Sequence, residues 1–303
     1  MALSPESGDP LNVLSLCAGV GGLDLGLSLG EPHARTVCYV ERDAFAAAVL
    51  VARMADEALC DAPIWDDLKS FDGCPWRGVV DIVAAGYPCQ PFSTAGKRRG
   101  EGDPRHLWPD VARIVRECQP WRIVLENVEG HLALGFSTVL GELRRLGYRV
   151  AAGLFSAREV GAAHLRRRLF VVADADHRRP VQRRRSAAGK RAGGILRRPI
   201  QGRLSGWNSP LGDAMDGATA VPEGGGVAAA DAGGLAIFPP APLDFEGWER
   251  VLAARPDLQP ALFGLEYGVA AGVERSFVTG NGVVPLAAAL AYRTLVAALE
   301  GGD

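Results

Sequence analysis

Short apolar runs recur along the chain, and most are followed by a segment with helical periodicity. The runs contain many β-branched residues and end in glycine or polar signals, which is typical of buried strands. They are Val13–Leu16, Thr36–Val40, Val79–Ala85, Ile123–Leu125 and Leu169–Ala173. The helical segments are Leu23–Ser28, Ala44–Ala55, Trp108–Glu117, Ser137–Leu146 and Pro285–Leu299. Strands that alternate with helices predict an α/β fold built on a parallel, doubly wound sheet.

This pattern is lost from Asp174 to about Pro242, where Arg, Gly, Ala and Pro predominate. We interpret the stretch as loops or a poorly ordered insert, with a domain boundary at its start. Residues 177–203 contain ten Lys or Arg and no acid, although the formal net charge of the chain is −2. Such a run fits a solvated loop or contact with phosphates equally well. Periodicity returns over Phe245–Tyr267 and predicts a small subdomain there.

Composition narrows the class of protein. The 303 residues are 48% hydrophobic and 22% charged, which predicts a globular chain with a real core and two lobes. No apolar run approaches the length of a membrane span, and the first residues lack a basic stretch followed by an apolar one, so we expect a cytoplasmic protein. The six cysteines form no CxxC pair and no zinc spacing, which predicts reduced thiols, no disulfide and no metal.

The residues that follow the first strands suit a nucleotide-like ligand. In an open α/β sheet, ligands bind at the carboxyl edge of the strands. The first strand runs into CAGVGG, a glycine turn that allows close approach of a ligand, and Glu41 follows the second strand, where it can accept both ribose hydroxyls. This pair fits an adenosine cofactor, while the incomplete GxGxxG disfavours nicotinamide or flavin. Asp67 fits an adenine contact, a surface acid or a helix cap.

A cysteine between two prolines follows the fourth strand, in the segment GYPCQPFS. Proline fixes φ and restricts the residue before it, so the turn should hold the thiol of Cys89 rigidly at the sheet edge. We therefore expect a reactive thiol. Ser93 and the basic residues Lys97 and Arg98 begin a glycine-containing loop that we expect to be mobile.

Charged residues lie next to the last two strands as well. Glu126 follows the fifth strand within ENV, and we expect its carboxyl to lie beside the thiol. HLRRR precedes the last strand, where the alternation of side chains should send Arg166 and Arg168 to one face and Arg167 to the other. Two guanidiniums would then point into one pocket.

In this order the segments resemble the cytosine-5 DNA methyltransferase family, particularly its short bacterial and phage-borne members. GYPCQPFS resembles the nucleophile motif of that family, CAGVGG its cofactor loop, ENV its glutamate motif and HLRRR its QxRxR motif. GNGVVP at residues 280–285 resembles its closing GNxVxP motif. The resemblance implies a Rossmann-like S-adenosylmethionine-dependent methyltransferase sheet, formed by residues 1–173 and 280–303, and a small target-recognition subdomain in residues 174–279.

The resemblance also implies an enzyme, a DNA (cytosine-5-)-methyltransferase. Cys89 would add to carbon 6 of cytosine, which makes carbon 5 able to attack the methyl group. Glu126 would hold and protonate ring N3, Arg168 would bind O2 of the base, and Arg166 would support the site.

Cofactor and partners follow from the same resemblance. The cofactor would be S-adenosylmethionine, which leaves as S-adenosylhomocysteine. The partner would be duplex DNA with the target cytosine flipped out, and we expect a monomer in a bacterial host or encoded by a phage. The residues implied to bind the cofactor are Cys17, Gly19, Gly21, Gly22, Glu41, Arg42, Asp67, Asn281 and Val283. Those implied to contact DNA are Gln90, Ser93, Lys97 and Arg98.

Two departures from the family pattern motivate other hypotheses. Cys17 stands where an aromatic residue is common, and His164 replaces the glutamine of QxRxR. A degenerate member that binds nucleic acid or cofactor without catalysis is the first alternative, and a tRNA methyltransferase is the second. The sequence leaves open the DNA target and the role, which is restriction-modification, protection of a phage genome or regulation.

Overall fold

The computed structural model describes residues 10–88, 107–175, 238, 240, 244–255 and 282–301. Within these ranges seven strands form one sheet in the order β3-β2-β1-β4-β5-β7-β6. The strands are β1 (Leu11–Leu16), β2 (Ala34–Val40), β3 (Ile64–Trp65), β4 (Ile82–Ala85), β5 (Arg122–Val128), β6 (Tyr148–Ser156) and β7 (Arg167–Ala175). The helices are α1 (Gly22–Gly30), α2 (Ala44–Ala55), α3 (Trp108–Cys118), α4 (Phe136–Arg145), α5 (Phe245–Ala254) and α6 (Pro285–Glu300).

The described residues fall into two compact units. The first contains the sheet as far as residue 155 and again from residue 167, together with α1 to α4 and α6. The second contains residues 156–166 and α5, whose first turn is capped by the Asp244 carboxylate accepting from the amide of Gly247 at 2.9 Å. The division expected from the sequence, into residues 1–173 with 280–303 and residues 174–279, stays a prediction. No helix in the described ranges is long and apolar enough to cross a membrane.

The α/β Rossmann-like fold is confirmed, but the expectation of an all-parallel sheet is wrong. Strands β1 to β5 run parallel to one another, whereas β7 runs antiparallel to β5, with Val128 opposite Arg168. The chain enters β7 only ten residues after leaving β6 (residues 157–166). A parallel neighbour needs a crossover of about a dozen residues or more, so this short connection returns the chain in the opposite direction.

Several element bounds differ from the expectations. Strand β4 begins at Ile82 rather than Val79, and β7 continues through Asp174 and Ala175, which we had assigned to the loop region. Strand β6 was not predicted, because Ala and Gly in YRVAAGLFS weaken the strand pattern and its side chains are mostly half-buried. The bounds of α2 are confirmed, and its N-cap is the Asp43 carboxylate accepting from the amide of Ala46 at 2.8 Å.

Helices cover both faces of the sheet. On one face, alternate residues of the central strands pack against α3 and α4, and on the other face the intervening residues pack against α1 and α6. The strands are therefore buried on both sides, which explains their nearly continuous apolar sequences. Fully buried side chains at the centre include Leu14, Leu16, Ile82, Ile123 and Leu125.

Helix α1 approaches α6 closely through a face of glycines. Gly22, Gly26 and Gly30 are spaced by four residues and so share one side of the helix. A Cβ at Gly26 would lie 2.5 Å from Cβ of Ala288 and 2.6 Å from the carbonyl oxygen of Pro285. Only glycine allows this distance between the two backbones.

A buried ion pair between β5 and β7 also contacts α6. Arg122 Nε and Nη2 lie 2.6 and 2.7 Å from the two carboxylate oxygens of Asp174, and Nη1 donates to the Tyr292 hydroxyl at 2.7 Å. Burial acts to lower the pKa of Arg122, but the hydrogen bonds and charges of Asp174 and Tyr292 outweigh it and raise the pKa. The three side chains connect β5, β7 and α6.

A buried carboxyl joins α1 to the first two strands. The Ser15 hydroxyl donates to Asp24 at 2.9 Å and the Thr36 hydroxyl donates to it at 3.1 Å. Burial raises the pKa of Asp24 to about 6, and the two hydrogen bonds oppose this rise only in part.

We predict that Asp174→Ala lowers the free energy of unfolding by about 3–5 kcal/mol, because it leaves the Arg122 guanidinium buried and unpaired. The double variant Arg122→Met/Asp174→Leu removes both charges and should lose clearly less stability than the single variant. Urea denaturation of the three proteins measures this. An equal loss in the single and double variants would contradict the prediction.

We predict that Asp24→Asn flattens the dependence of stability on pH. The folded-state pKa of about 6 lies above the ordinary value of 3.8, so the contribution to stability is complete below pH 3.8 and is lost as the pH rises through 6. The loss corresponds to about 3 kcal/mol at 1.36 kcal/mol per pH unit. Asparagine stays neutral, so between pH 4 and pH 7 the variant should lose less stability than the wild type. If the free energy of unfolding falls by the same amount in both proteins between pH 4 and pH 7, the raised pKa of Asp24 is refuted.

Candidate functional site

The residues singled out by the sequence converge on one edge of the sheet. Cys17 follows β1, Glu41 follows β2 and Gly86 follows β4, so all three lie at the carboxyl edge of parallel strands. Strand β7 runs the other way, which brings its beginning, with Arg168, to the same edge. In a parallel strand this arginine would lie at the opposite edge of the sheet. The unexpected direction of β7 is therefore what completes the site.

Glu126 and Arg168 form a partly buried ion pair at this edge. Glu126 lies opposite Phe170, so Arg168 is its diagonal neighbour on the same face of the sheet. Arg168 Nε lies 3.2 Å from Glu126 Oε1, and the two side chains are 21% and 9% exposed. A carboxylate beside a guanidinium can bind the edge of a planar ring through an acceptor and donors at once.

The second oxygen of Glu126 faces the turn that follows β4. A Cβ placed on Gly86 would lie 3.6 Å from Glu126 Oε2 and 3.7 Å from the carbonyl oxygen of Cys17. The glutamate and the glycine turn after β1 therefore meet at Gly86. Cys89 follows Gly86 by three residues, and its expected place beside the glutamate lies outside the described residues.

Asn127, near the end of β5, and His131, which follows β5, contact the start of the turn after β4. Asn127 Nδ2 donates to the carbonyl oxygen of Tyr87 at 3.2 Å, while its Oδ1 accepts from the amide of Val128 at 2.9 Å. The Tyr87 hydroxyl lies 3.2 Å from His131 Nε2. Sequence reasoning assigned no role to Tyr87, Asn127 or His131. For Asn127 the ENV segment was a signal, whereas nothing in the pattern marked His131.

Glu41 joins the turns after β1 and β2. Its Oε2 accepts from the amide of Gly19 at 2.7 Å, and its Oε1 accepts from the amide of Asp43 at 2.7 Å. Gly19 has a φ of 56° and Cys17 a φ of 52°, both in the left-handed region. A Cβ at Gly19 would meet no described atom within 4 Å, so the space over this turn is open.

Three of the described cysteines have thiols whose pKa is raised by burial. Burial, reinforced by the charges of Glu41 and Asp110, raises the pKa of the Cys17 thiol to about 12. Burial also raises the pKa of Cys38 to about 11 and that of Cys118 to about 12. The thiolate is the reactive form, so these three side chains are unreactive near neutral pH.

Three further residues of the expected cofactor site, Val283, Arg42 and Asp67, have different surroundings. The Val283 carbonyl lies against Gly22, where a Cβ would approach its oxygen to 2.5 Å. Arg42 is exposed. Asp67 Oδ1 accepts from the amide of Lys69 at 3.0 Å, so the acid caps a local turn rather than a helix, and its expected contact with adenine stays a prediction.

The remaining expected site residues are Arg166, His164 and those that lie outside the described residues. Arg166 lies in the second compact unit, directly before β7, and has a φ of 35°. Its backbone is not extended, so the expected strand alternation from Arg166 to Arg168 is wrong. His164, which stands in place of the motif glutamine, is exposed. Cys89, Gln90, Ser93, Lys97, Arg98, Asn281 and the basic run of residues 177–203 lie outside the described residues.

Comparison with known proteins identifies a family for more than half of the chain. Residues 11–197 match the family model described as C-5 cytosine-specific DNA methylase. The Type II methyltransferase M.NgoMIV of Neisseria gonorrhoeae is 35% identical over 165 residues, which cover 53% of this chain and 50% of that protein. The Type II methyltransferase M1.ScrFI of Lactococcus lactis subsp. cremoris is 35% identical over 165 residues, or 53% and 40% of the two chains.

The crystal structure of the S. pombe Dnmt2 methyltransferase aligns with 55% of this chain and 51% of its own, at 22% identity and a TM-score of 0.45. The chain spans about half the length of the curated relatives that it matches, or somewhat less.

We predict that Gly22→Ala destabilises the protein by about 1–3 kcal/mol, because the added Cβ would overlap the Val283 backbone, which cannot rotate away. Gly141→Ala in α4 is the matched control. Its Cβ would lie 3.6 Å from the flexible end of Arg145, and alanine favours a helix, so it should not destabilise. Thermal and urea unfolding measure both variants. A Gly22→Ala protein as stable as the control would show that the glycine is not required at this contact.

Proposed function

Because the chain belongs to the family of C-5 cytosine-specific DNA methylases, we propose that it transfers a methyl group to carbon 5 of cytosine in DNA. The observation that carries the proposal is the Glu126–Arg168 pair beside Gly86, at the sheet edge from which the chain continues to Cys89. An acceptor and a donor adjacent to the nucleophile turn suit a ring that must be held by its edge while carbon 6 is attacked.

Cytosine requires activation because its carbon 5 is a poor nucleophile. The Cys89 thiolate forms a bond to carbon 6, and the electron pair of the carbon 5–carbon 6 bond shifts to give an enamine. Glu126 holds a proton at ring N3, and Arg168 donates to O2. Both contacts draw electron density away from carbon 6, which favours attack by sulfur. After carbon 5 has been methylated, a base such as water takes the carbon 5 proton, the electron pair left behind re-forms the carbon 5–carbon 6 double bond, and the carbon 6–sulfur bond breaks to release Cys89 as the thiolate.

S-adenosylmethionine would supply the electrophilic methyl group. The residues after β1 and β2 suit its adenosine, because the open space over Gly19 adjoins the Glu41 carboxylate, which has lone pairs for ribose hydroxyls. Val283 closes the turn at Gly22. We assign Cys17, Gly21, Arg42 and Asp67 to the same ligand by their place at this edge, and Asn281 by resemblance.

The substrate is duplex DNA from which the target base is flipped, since carbon 6 cannot be reached while the base is stacked. Gln90, Ser93, Lys97 and Arg98 would contact this DNA, with Ser93 on a phosphate. Of the expected recognition region, residues 174–279, the part that follows β7 would read the target sequence, and the basic run of residues 177–203 fits contact with phosphates. We propose for this chain the role named for its relatives, that of a Type II methyltransferase.

We predict that the purified protein transfers labelled methyl groups from S-adenosylmethionine to unmethylated genomic DNA and not to tRNA. Cys89→Ser should abolish transfer, and Glu126→Gln should lower kcat by about 10²–10⁴-fold because the amide cannot supply the proton. Cys74→Ser changes an exposed cysteine and should retain wild-type activity. Bisulfite sequencing of the product DNA gives the target sequence.

Two outcomes of this assay would overturn the proposal. One is an intact, folded wild type that labels no DNA, and the other is a Cys89→Ser protein as active as the Cys74→Ser control. Transfer to tRNA alone would replace the DNA substrate with RNA.

A further inference from the structure

A buried tyrosine–histidine pair lies under the turn that leads to Cys89. The Tyr87 hydroxyl is 3.2 Å from His131 Nε2, and the two residues are 5% and 4% exposed. Tyr87 follows β4, while His131 lies in the 3-10 helix Glu129–Leu132 that follows β5. The pair therefore connects the two strand ends that carry the proposed nucleophile and the proposed acid.

The partners of a neutral imidazole indicate which ring nitrogen carries the hydrogen. His131 Nδ1 lies 3.0 Å from the carbonyl oxygen of Leu134, which can only accept a hydrogen bond, so Nδ1 carries the hydrogen. In the neutral ring Nε2 is then an acceptor, and the Tyr87 hydroxyl donates to it. The two hydrogen bonds run from Tyr87 through His131 to the backbone at Leu134.

The backbone and the ring of Tyr87 are held as well. Asn127 donates to the Tyr87 carbonyl oxygen at 3.2 Å, and the amide of Gly86 donates to the carbonyl oxygen of Leu16 at 3.3 Å. The Tyr87 ring lies 5.7 Å from the ring of Trp108 at the start of α3. The last residues before Pro88 and Cys89 are thus held by contacts to their backbone, to the Tyr87 ring and to the Tyr87 hydroxyl.

We propose that His131 is a positioning residue, which fixes the backbone at Gly86 and Tyr87 through the Tyr87 hydroxyl and so sets where the segment carrying Cys89 begins. The inference rests on the proposed function for its kinetic consequence. Nucleophilic attack depends on the distance between sulfur and carbon 6, and a displacement of about 1 Å can cost 10²-fold in rate. A pair with a merely structural role would lower stability and leave the rate of the chemical step unchanged.

The test uses three substitutions at the pair. Tyr87→Phe removes the donor and keeps the ring, and His131→Leu removes the acceptor. His131→Gln retains an acceptor oxygen for the Tyr87 hydroxyl and an N–H for Leu134. Tyr148→Phe is the matched control, because it removes a buried hydroxyl that donates to the carbonyl oxygen of Pro120 at 2.6 Å, elsewhere in the fold.

Two readouts are measured on every variant. One is the single-turnover rate of methyl transfer together with the KM for S-adenosylmethionine, with DNA that contains the target site. The other is hydrogen–deuterium exchange of the Gly86 and Tyr87 amides in the free protein, which requires no activity.

We expect Tyr87→Phe and His131→Leu each to lower the single-turnover rate by about 10-fold, with KM for the cofactor unchanged, and to speed exchange at Gly86 and Tyr87. The double variant should be no slower than the slower single variant, because both changes break the same contact. His131→Gln should recover most of the rate. Tyr148→Phe should lower the melting temperature while leaving rate and local exchange at wild-type values.

The proposal is overturned if hydrogen exchange at Gly86 and Tyr87 is unchanged in Tyr87→Phe and His131→Leu. It is also overturned if exchange becomes faster while the single-turnover rate equals that of the Tyr148→Phe control. A wild type that transfers no methyl group would reject the proposed function. In that case, faster exchange at Gly86 and Tyr87 in the variants would still support the role of His131 in fixing this backbone. Unchanged exchange would refute that role, so the two failures are distinguishable.

Discussion

The close contact between α1 and α6 is the constraint on which the arrangement of the sheet edge depends. Three glycines at intervals of four residues remove side chains from one side of α1, so the backbone of α6 can approach it. This contact brings Val283, near the end of the sequence, to Gly22, near its start. A bulkier face on α1 would hold α6 away, and residues distant in sequence would no longer share one edge. Arg122, which is ion-paired with Asp174, also donates a hydrogen bond to Tyr292 and so holds the middle of the same helix against β5 and β7.

The direction of β7 is the second determinant, because it decides which arginines reach the site. Strand β5 ends at the ligand edge, and β7 begins there because it runs antiparallel. A charged pair across neighbouring strands, Glu126 with Arg168, can then form without a long loop, on strands whose positions are fixed by the core. Rigid strands rather than flexible loops therefore supply both members of the pair, which favours a fixed geometry.

Sequence reasoning identified most strands, because strands buried on both faces give continuous apolar runs between turn signals. It located α2 correctly, since an aspartate cap precedes an alanine-rich segment. It missed β6, whose small and half-buried residues give a weak pattern, and the direction of β7, which depends on the short connection from β6 rather than on local propensity. The hydrogen bond between Tyr87 and His131 joins residues 44 apart in the sequence, and no local pattern predicts it because only the fold brings them together. Glu41 was identified because it follows β2 at the expected edge. Glu126 was expected to follow β5, but the strand continues through Val128, so Glu126 lies near the end of β5, at the same edge.

The two carboxylates at the edge have different surroundings, and the difference suits different tasks. Glu41 accepts two backbone amides, which fix its position and leave further lone pairs for neutral hydroxyls. Glu126 is instead paired with the side chain of Arg168 and is 7% exposed, so its charge is balanced by a group that can also contact a bound ring. Gly86 lies between Glu126 and the turn after β1, since a side chain there would approach both the Glu126 carboxylate and the carbonyl oxygen of Cys17. A glycine at this position leaves the space in which two ligands bound at neighbouring turns can come into contact.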